Sequence, residues 1–175
     1  TSCEKNSLTD LNKNPNQIEF VIPEYSFTAA VLENYPTLNF RALGQGLQYF
    51  ATYKEVPATG DKFYNFNGTA GSFNVYNNQM NRLLQLMTQI QGPENVNKRG
   101  ACEILRILEF HVATDAMGDL PYTEAMSGNE VLKPKYDTQE SIYMAMLSEL
   151  ETALNSMDAT KPNVFGQADP YFKGD

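Results

Sequence analysis

The stretch that most constrains this chain runs from Asn97 to Ala125, NKRGACEILRILEFHVATDAMGDLPYTEA. Ile104, Leu105, Leu108 and Val112 recur at helical spacing while Ile107 and Phe110 add a second apolar flank, which predicts a helix packed on more than one side. Such a helix needs partners on both flanks, so it is expected at the centre of a helical fold. It is expected to stop by about Met117, because Gly118 is a natural left-handed cap and Pro121 cannot continue the hydrogen-bond ladder. Asn95 or Asn97 is the expected N-cap, and a compact loop bearing Tyr122 follows the helix.

Helical periodicity returns on either side. Tyr76, Met80, Leu83, Leu84, Met87 and Ile90 form an amphipathic stripe that Gln91-Gly92-Pro93 ends. Downstream, Ile142, Met146, Leu147, Leu150, Leu154 and Met157 form another, opened by Asp137 and Glu140 at capping-box spacing. Nearer the start, Ser26 is placed to cap a helix that begins at Phe27 and is interrupted by Pro36, and a further run sets Leu43, Leu47, Phe50 and Ala51 on one face. No stretch alternates convincingly as a strand. The expected fold is all-α, a solenoid-like stack of helices, and 175 residues with 42% hydrophobic content suffice for one real core.

Between Tyr53 and Phe73 the period disappears. YKEVPATGDKFYNFNGTAGSF combines Pro57 and three glycines with a dense set of Tyr, Phe and Asn, which marks an ordered loop. Aromatic rings stack on the apolar faces of sugars or on peptide side chains, and neighbouring amides both donate and accept hydrogen bonds. Tyr64, Asn65, Phe66 and Asn67 are therefore the candidate ligand-binding residues. The plainer reading is that Phe63, Phe66 and Phe73 pin the loop to the helices. Trp is absent, which leaves peptide ligands open beside carbohydrates.

A net charge of −8 repels phosphate backbones, so nucleic acid is not an expected partner. No run approaches the roughly 18 apolar residues that would span a bilayer. His111 is the one histidine, expected as a packed residue, and with two far-separated cysteines it cannot build a closed metal site. No catalytic residue, metal or cofactor is expected. Asp115, Asp119 and Glu124 are the alternative: a glycan-active hydrolase would need two such carboxyls flanking a sugar. Their positions favour capping, since Asp115 ends a helix and needs a local partner, while Asp119 lies in a turn where it can accept from backbone amides. Cys102, among Ile and Leu, is expected as a small core residue.

The order of a buried helix, then Asp115 to Ala125 (DAMGDLPYTEA), then Pro134-Lys135-Tyr136-Asp137 opening YDTQESIYMAMLSELETAL, resembles the SusD/RagB family. The similarity runs from Cys3 to Asp175. Members are lipid-anchored nutrient-binding proteins on the surface of Bacteroidota, paired with a TonB-dependent outer-membrane transporter. The resemblance implies a tetratricopeptide-like helical core with long ordered loop insertions, and a chain that is the N-terminal part of a larger protein. A standard tetratricopeptide repeat is departed from in two ways: the loop before the last helix is too long, and the Trp and Gly signature is missing.

The resemblance also implies a function: a non-catalytic cell-surface lipoprotein that captures an oligosaccharide or oligopeptide and acts as a lid, delivering it to a SusC-like TonB-dependent transporter. Ligand contacts in the family often come from a loop at the stage of residues 53–73. Residues 1–17 are then a lipid-anchored tether and 18–175 the N-terminal part of one helical domain. Cys3, behind the small residues Thr1 and Ser2, is the expected lipidation site, which places the protein on the extracellular face of the outer membrane by a lipid alone. An ordinary terminus with a free thiol is the alternative for Cys3. A helical-repeat scaffold that binds protein through a concave face is the remaining functional alternative.

Overall fold

The computed structural model describes residues 22–38, 47–49, 76, 80–125, 127, 131–161 and 165–173. Along them run α1 (Pro23–Leu38), α2 (Asn81–Gln89), α3 (Val96–Met117) and α4 (Gln139–Ser156), with single 3₁₀ turns at Pro93–Asn95 and Gly166–Ala168. Among the described residues there is no strand, only an isolated antiparallel bridge between Leu120 and Asp137. The all-α class is as expected.

α3 is the shared wall of two apolar clusters. On one flank Cys102 and Leu105 meet Phe27, Ala30 and Val31 of α1, Leu83 and Leu86 of α2, and Phe165. On the other, Ile107, Phe110 and Ala113 meet Ile142 and Met146 of α4, together with Met80, Leu120 and Tyr122. The first cluster is closed by Phe27 stacked on Phe165 at 4.0 Å, with Lys98 over the Phe165 ring and bonded to Glu24 at 2.9 Å. Cys102 is a core residue as expected, and burial pushes its thiol up to about 12. α4 comes close to α3 at Gly100, where an added Cβ would stand 2.8 Å from the Met157 side chain.

The centre of α3 matches its sequence pattern and its ends depart in detail. Gly118 does terminate it, at φ 75° and ψ −125°, a positive-φ geometry suited to glycine but outside the left-handed helical well. Asn95 occupies the N-cap position without capping, its amide donating to Gln91 and Glu94 instead. Asn97 is no cap either: its amide exchanges two hydrogen bonds, of 2.9 and 2.8 Å, with the backbone of Asp158 beyond α4.

α1 begins at Pro23, not Phe27, because proline is pre-shaped for the first helical position, and Ser26 lies buried within the helix. The helix also runs past Pro36 to Leu38. The carbonyl that loses its ladder partner there belongs to Leu32, an exposed residue, so water can take the bond. In the run from Leu43 to Ala51, positions 47–49 form a turn and bend in place of the expected helix, with Gln48 at φ 63°, and the rest lies outside the described residues.

Two stripes are rotated from their expected positions. On α2, Leu86 is buried while Leu84 is exposed, because α1 and α3 cover the face of Met80, Leu83, Leu86 and Ile90. On α4, Ile142, Met146 and Ala153 are buried, whereas Leu147 and Leu154 are 61% and 55% exposed. Thr138, not Asp137, caps α4 by accepting from the Ser141 amide at 3.3 Å.

Truncating Ile142 to Ala is expected to cost about 2–5 kcal/mol of unfolding free energy in urea titration. Leu147→Ala, which opens no core cavity, is expected to stay within about 0.5 kcal/mol.

Candidate functional site

Two elements position the polar groups around α3 and α4. One is the loop from Gly118 to Ala125, which brings the chain from the end of α3 to the start of α4. Leu120 and Asp137 exchange backbone hydrogen bonds at 3.2 and 3.0 Å. The Asp137 carboxylate then accepts from the amides of Tyr122 (3.1 Å) and Thr123 (2.7 Å) and from the Thr123 hydroxyl. Burial pushes its pKa up, but the Thr123 and Tyr122 donors outweigh that and hold the carboxyl below its ordinary range. Asp119 accepts from the first amide of α4, Gln139, at 2.9 Å, and the Gln139 side chain returns to the carbonyl of Thr114 on α3 at 2.8 Å. Glu124 accepts from the Lys135 amide at 2.9 Å.

The second element is Arg106 on α3. Its guanidinium binds Glu103 on the same helix and Glu149 on α4, and lies over the rings of Phe110 and Tyr122 at 5.6 and 5.4 Å. Burial opposes its charge, but the Glu103 carboxylate more than offsets this, so Arg106 stays protonated. The Tyr122 hydroxyl donates to Glu149, and burial together with that bond pushes its pKa up. A planar cation bridging two carboxylates ties loop, α3 and α4 together.

Beside these lies a groove of about 350 Å³ between α3 and α4, lined by Ile104, Leu108 and His111 on one side and Tyr143, Leu147 and Leu150 on the other. At its rim His111 stands 3.4 Å from Asp115, the Tyr143 hydroxyl donates to the other Asp115 oxygen, and the imidazole meets the Tyr143 ring edge-on at 5.7 Å. The hydrogen bond to Asp115 raises the Tyr143 pKa, so the phenol keeps its proton. An apolar trough with an aromatic ring, an imidazole and a carboxylate at one edge can bind a ligand with one apolar and one hydroxylated face. His111, expected as a packed residue, is instead a half-exposed rim residue. Nothing in the spacing of Asp115 and Tyr143 along the sequence pointed to their pairing, since they lie on separate helices.

Asp119 accepts from the first amide of α4, as the capping reading expects, whereas Asp115 bonds Tyr143 and faces His111 and Glu124 bonds Lys135. The candidate ligand residues Tyr64, Asn65, Phe66 and Asn67 and the candidate lipidation site Cys3 lie outside the described residues. Among the described residues no group of His, Cys, Asp and Glu is placed to hold a metal, and no helix is long and apolar enough to cross a membrane.

Because the Asp137 carboxylate is stabilised in the fold, its contribution is present above the ordinary Asp pKa of about 3.9 and is lost as pH falls below it. Asp137→Asn is expected to lower stability at pH 7 by about 1–2 kcal/mol. It is also expected to flatten the loss of melting temperature as pH falls below about 4, read by circular dichroism.

Comparison with known proteins places this arrangement. A SusD-like family model, described as starch-binding and associating with the outer membrane, matches residues 15–175. Among solved structures, one described as a chitin-binding protein superposes with a TM-score of 0.67 at 23% identity, over 88% of this chain and 35% of that one. This likeness is one of fold, and the chain spans about a third of that structure's length. No curated protein sequence matches significantly. The family match takes in α1 through α4 and the loop that Asp119 and Asp137 hold together, and the chain belongs to the SusD-like family.

Proposed function

We propose that this chain is part of a cell-surface protein that captures glycan oligomers without cleaving them and passes them to a TonB-dependent transporter of the outer membrane. The observation that carries the reading is the family match over residues 15–175, whose description joins starch binding to the outer membrane. The chitin-binding description of the structural relative supports a carbohydrate over a peptide as the ligand. In this reading Tyr64 and Phe66 stack on sugar faces, Asn65 and Asn67 bond hydroxyls, and a lipid on Cys3 keeps the protein at the membrane. Burying the ligand between lid and transporter supplies the differential affinity that favours closure. The bonding roles of Asp115, Asp119 and Glu124 support the non-catalytic part.

Calorimetry with maltooligosaccharide, chitooligosaccharide and oligopeptide series tests the reading. Binding of a glycan series is expected, with Tyr64→Ala and Phe66→Ala each weakening it by about tenfold or more. Peptide binding alone would overturn the ligand class, and glycan binding untouched by both substitutions would overturn the site. No products are expected when the oligosaccharides are incubated with the protein; turnover abolished by Asp119→Asn would establish a hydrolase instead. Purification from native membranes is expected to yield a large β-barrel partner and a lipidated Cys3.

A further inference from the structure

Among the described residues Glu109 is the buried charged side chain left without a hydrogen-bond partner. It stands one turn beyond Leu105 on α3, continuing the face that α1 and α2 cover, and is 0% exposed. Neither of its carboxyl oxygens has a hydrogen-bond partner. Among the described residues the charged group acting on it is another carboxylate, Glu33 of α1. Glu33 itself is bonded to Arg82 of α2 at 2.8 and 3.3 Å. On α3 itself Arg106 is held by Glu103 and Glu149, and His111 faces Asp115. A buried carboxylate with no donor and a like charge nearby is far less stable than the neutral acid.

We propose that Glu109 makes the docking of α1 on α2 and α3 sensitive to pH, holding the helix most tightly in mildly acidic surroundings and releasing its grip as the medium turns neutral and alkaline. When α1 lifts away, Glu109 meets water and ionises as an ordinary carboxyl, near pH 4.3. Docked, it keeps its proton, because burial and then Glu33 push its pKa up to about 8. Between these values the docked state holds one more proton than the open state. The docking equilibrium therefore weakens by up to about tenfold per pH unit, and levels off once Glu109 ionises in both states. Glu33→Gln removes the like charge but also breaks the pair with Arg82, so Glu109→Gln is the cleaner variant.

Hydrogen exchange of the α1 amides, corrected for the intrinsic rate and followed from pH 5 to pH 9, tests this directly. In the wild-type chain, protection of residues 27–33 is expected to fall with rising pH and to flatten near pH 8, while Glu109→Gln is expected to keep it constant. Constant protection in the wild type, or an equal decline in Glu109→Gln, would overturn the proposal. Should that variant fail to fold, carbon-13 titration of the Glu109 carboxyl in the wild type decides the matter. A midpoint well above the ordinary carboxyl range supports the latch, and one near pH 4.3 sinks it.

Discussion

The constraint on which the rest depends is that α3 is buried along two flanks at once. α1 and α2 bury their apolar residues against Cys102 and Leu105, and α4 buries its own against Ile107 and Phe110. Neither cluster has an independent wall, so a change in the direction of α3 would disturb both. This explains why polar anchors are concentrated along it. Asn97 fastens its first turn to the backbone after α4, Arg106 holds its middle to Glu149, and Thr114 ties its end to Gly118 and Gln139. Gly100 removes a side chain where α4 closes in.

The loop after α3 turns that wall into a shaped object. Its hydrogen bonds satisfy backbone groups that a reversal of direction would otherwise leave unpaired, and two carboxylates, Asp119 and Asp137, do most of the accepting. The most distinctive part of the sequence, GDLPYTEA, thus has an architectural role. Leu120 and Tyr122 fill the core while the acids hold the turn. The same residues that look like chemistry when read as a string of Asp and Glu are hydrogen-bonded to α4 and to the segment that leads into it.

That arrangement bears on function through what it leaves over. With these acids hydrogen-bonded locally, the remaining surface around α3 and α4 offers apolar area and an aromatic rim. Met144, Leu147 and Leu154 lie exposed on α4, and the structural relative of the same fold is nearly three times the length that this chain covers. Among the described residues Glu109 is the buried side chain whose oxygens lack a hydrogen-bond partner, and the proposed pH response of α1 docking turns on its protonation.

By itself the sequence determined that the chain is helical, that the segment around Leu105 and Phe110 lies at its centre, and that α3 stops at Gly118. Each follows from local rules, since periodicity, glycine and proline act within a few residues. Tertiary structure alone decided which leucines of α2 and α4 are covered, because a stripe wide enough to bury either Leu84 or Leu86 is resolved by where α1 and α3 lie. It also decided that Asn97 serves Asp158, that Asp137 serves Tyr122 and Thr123, and that Asp115 meets Tyr143. These partners are between 14 and 61 residues apart, and no local propensity encodes a hydrogen bond whose other half arrives only when two helices have packed.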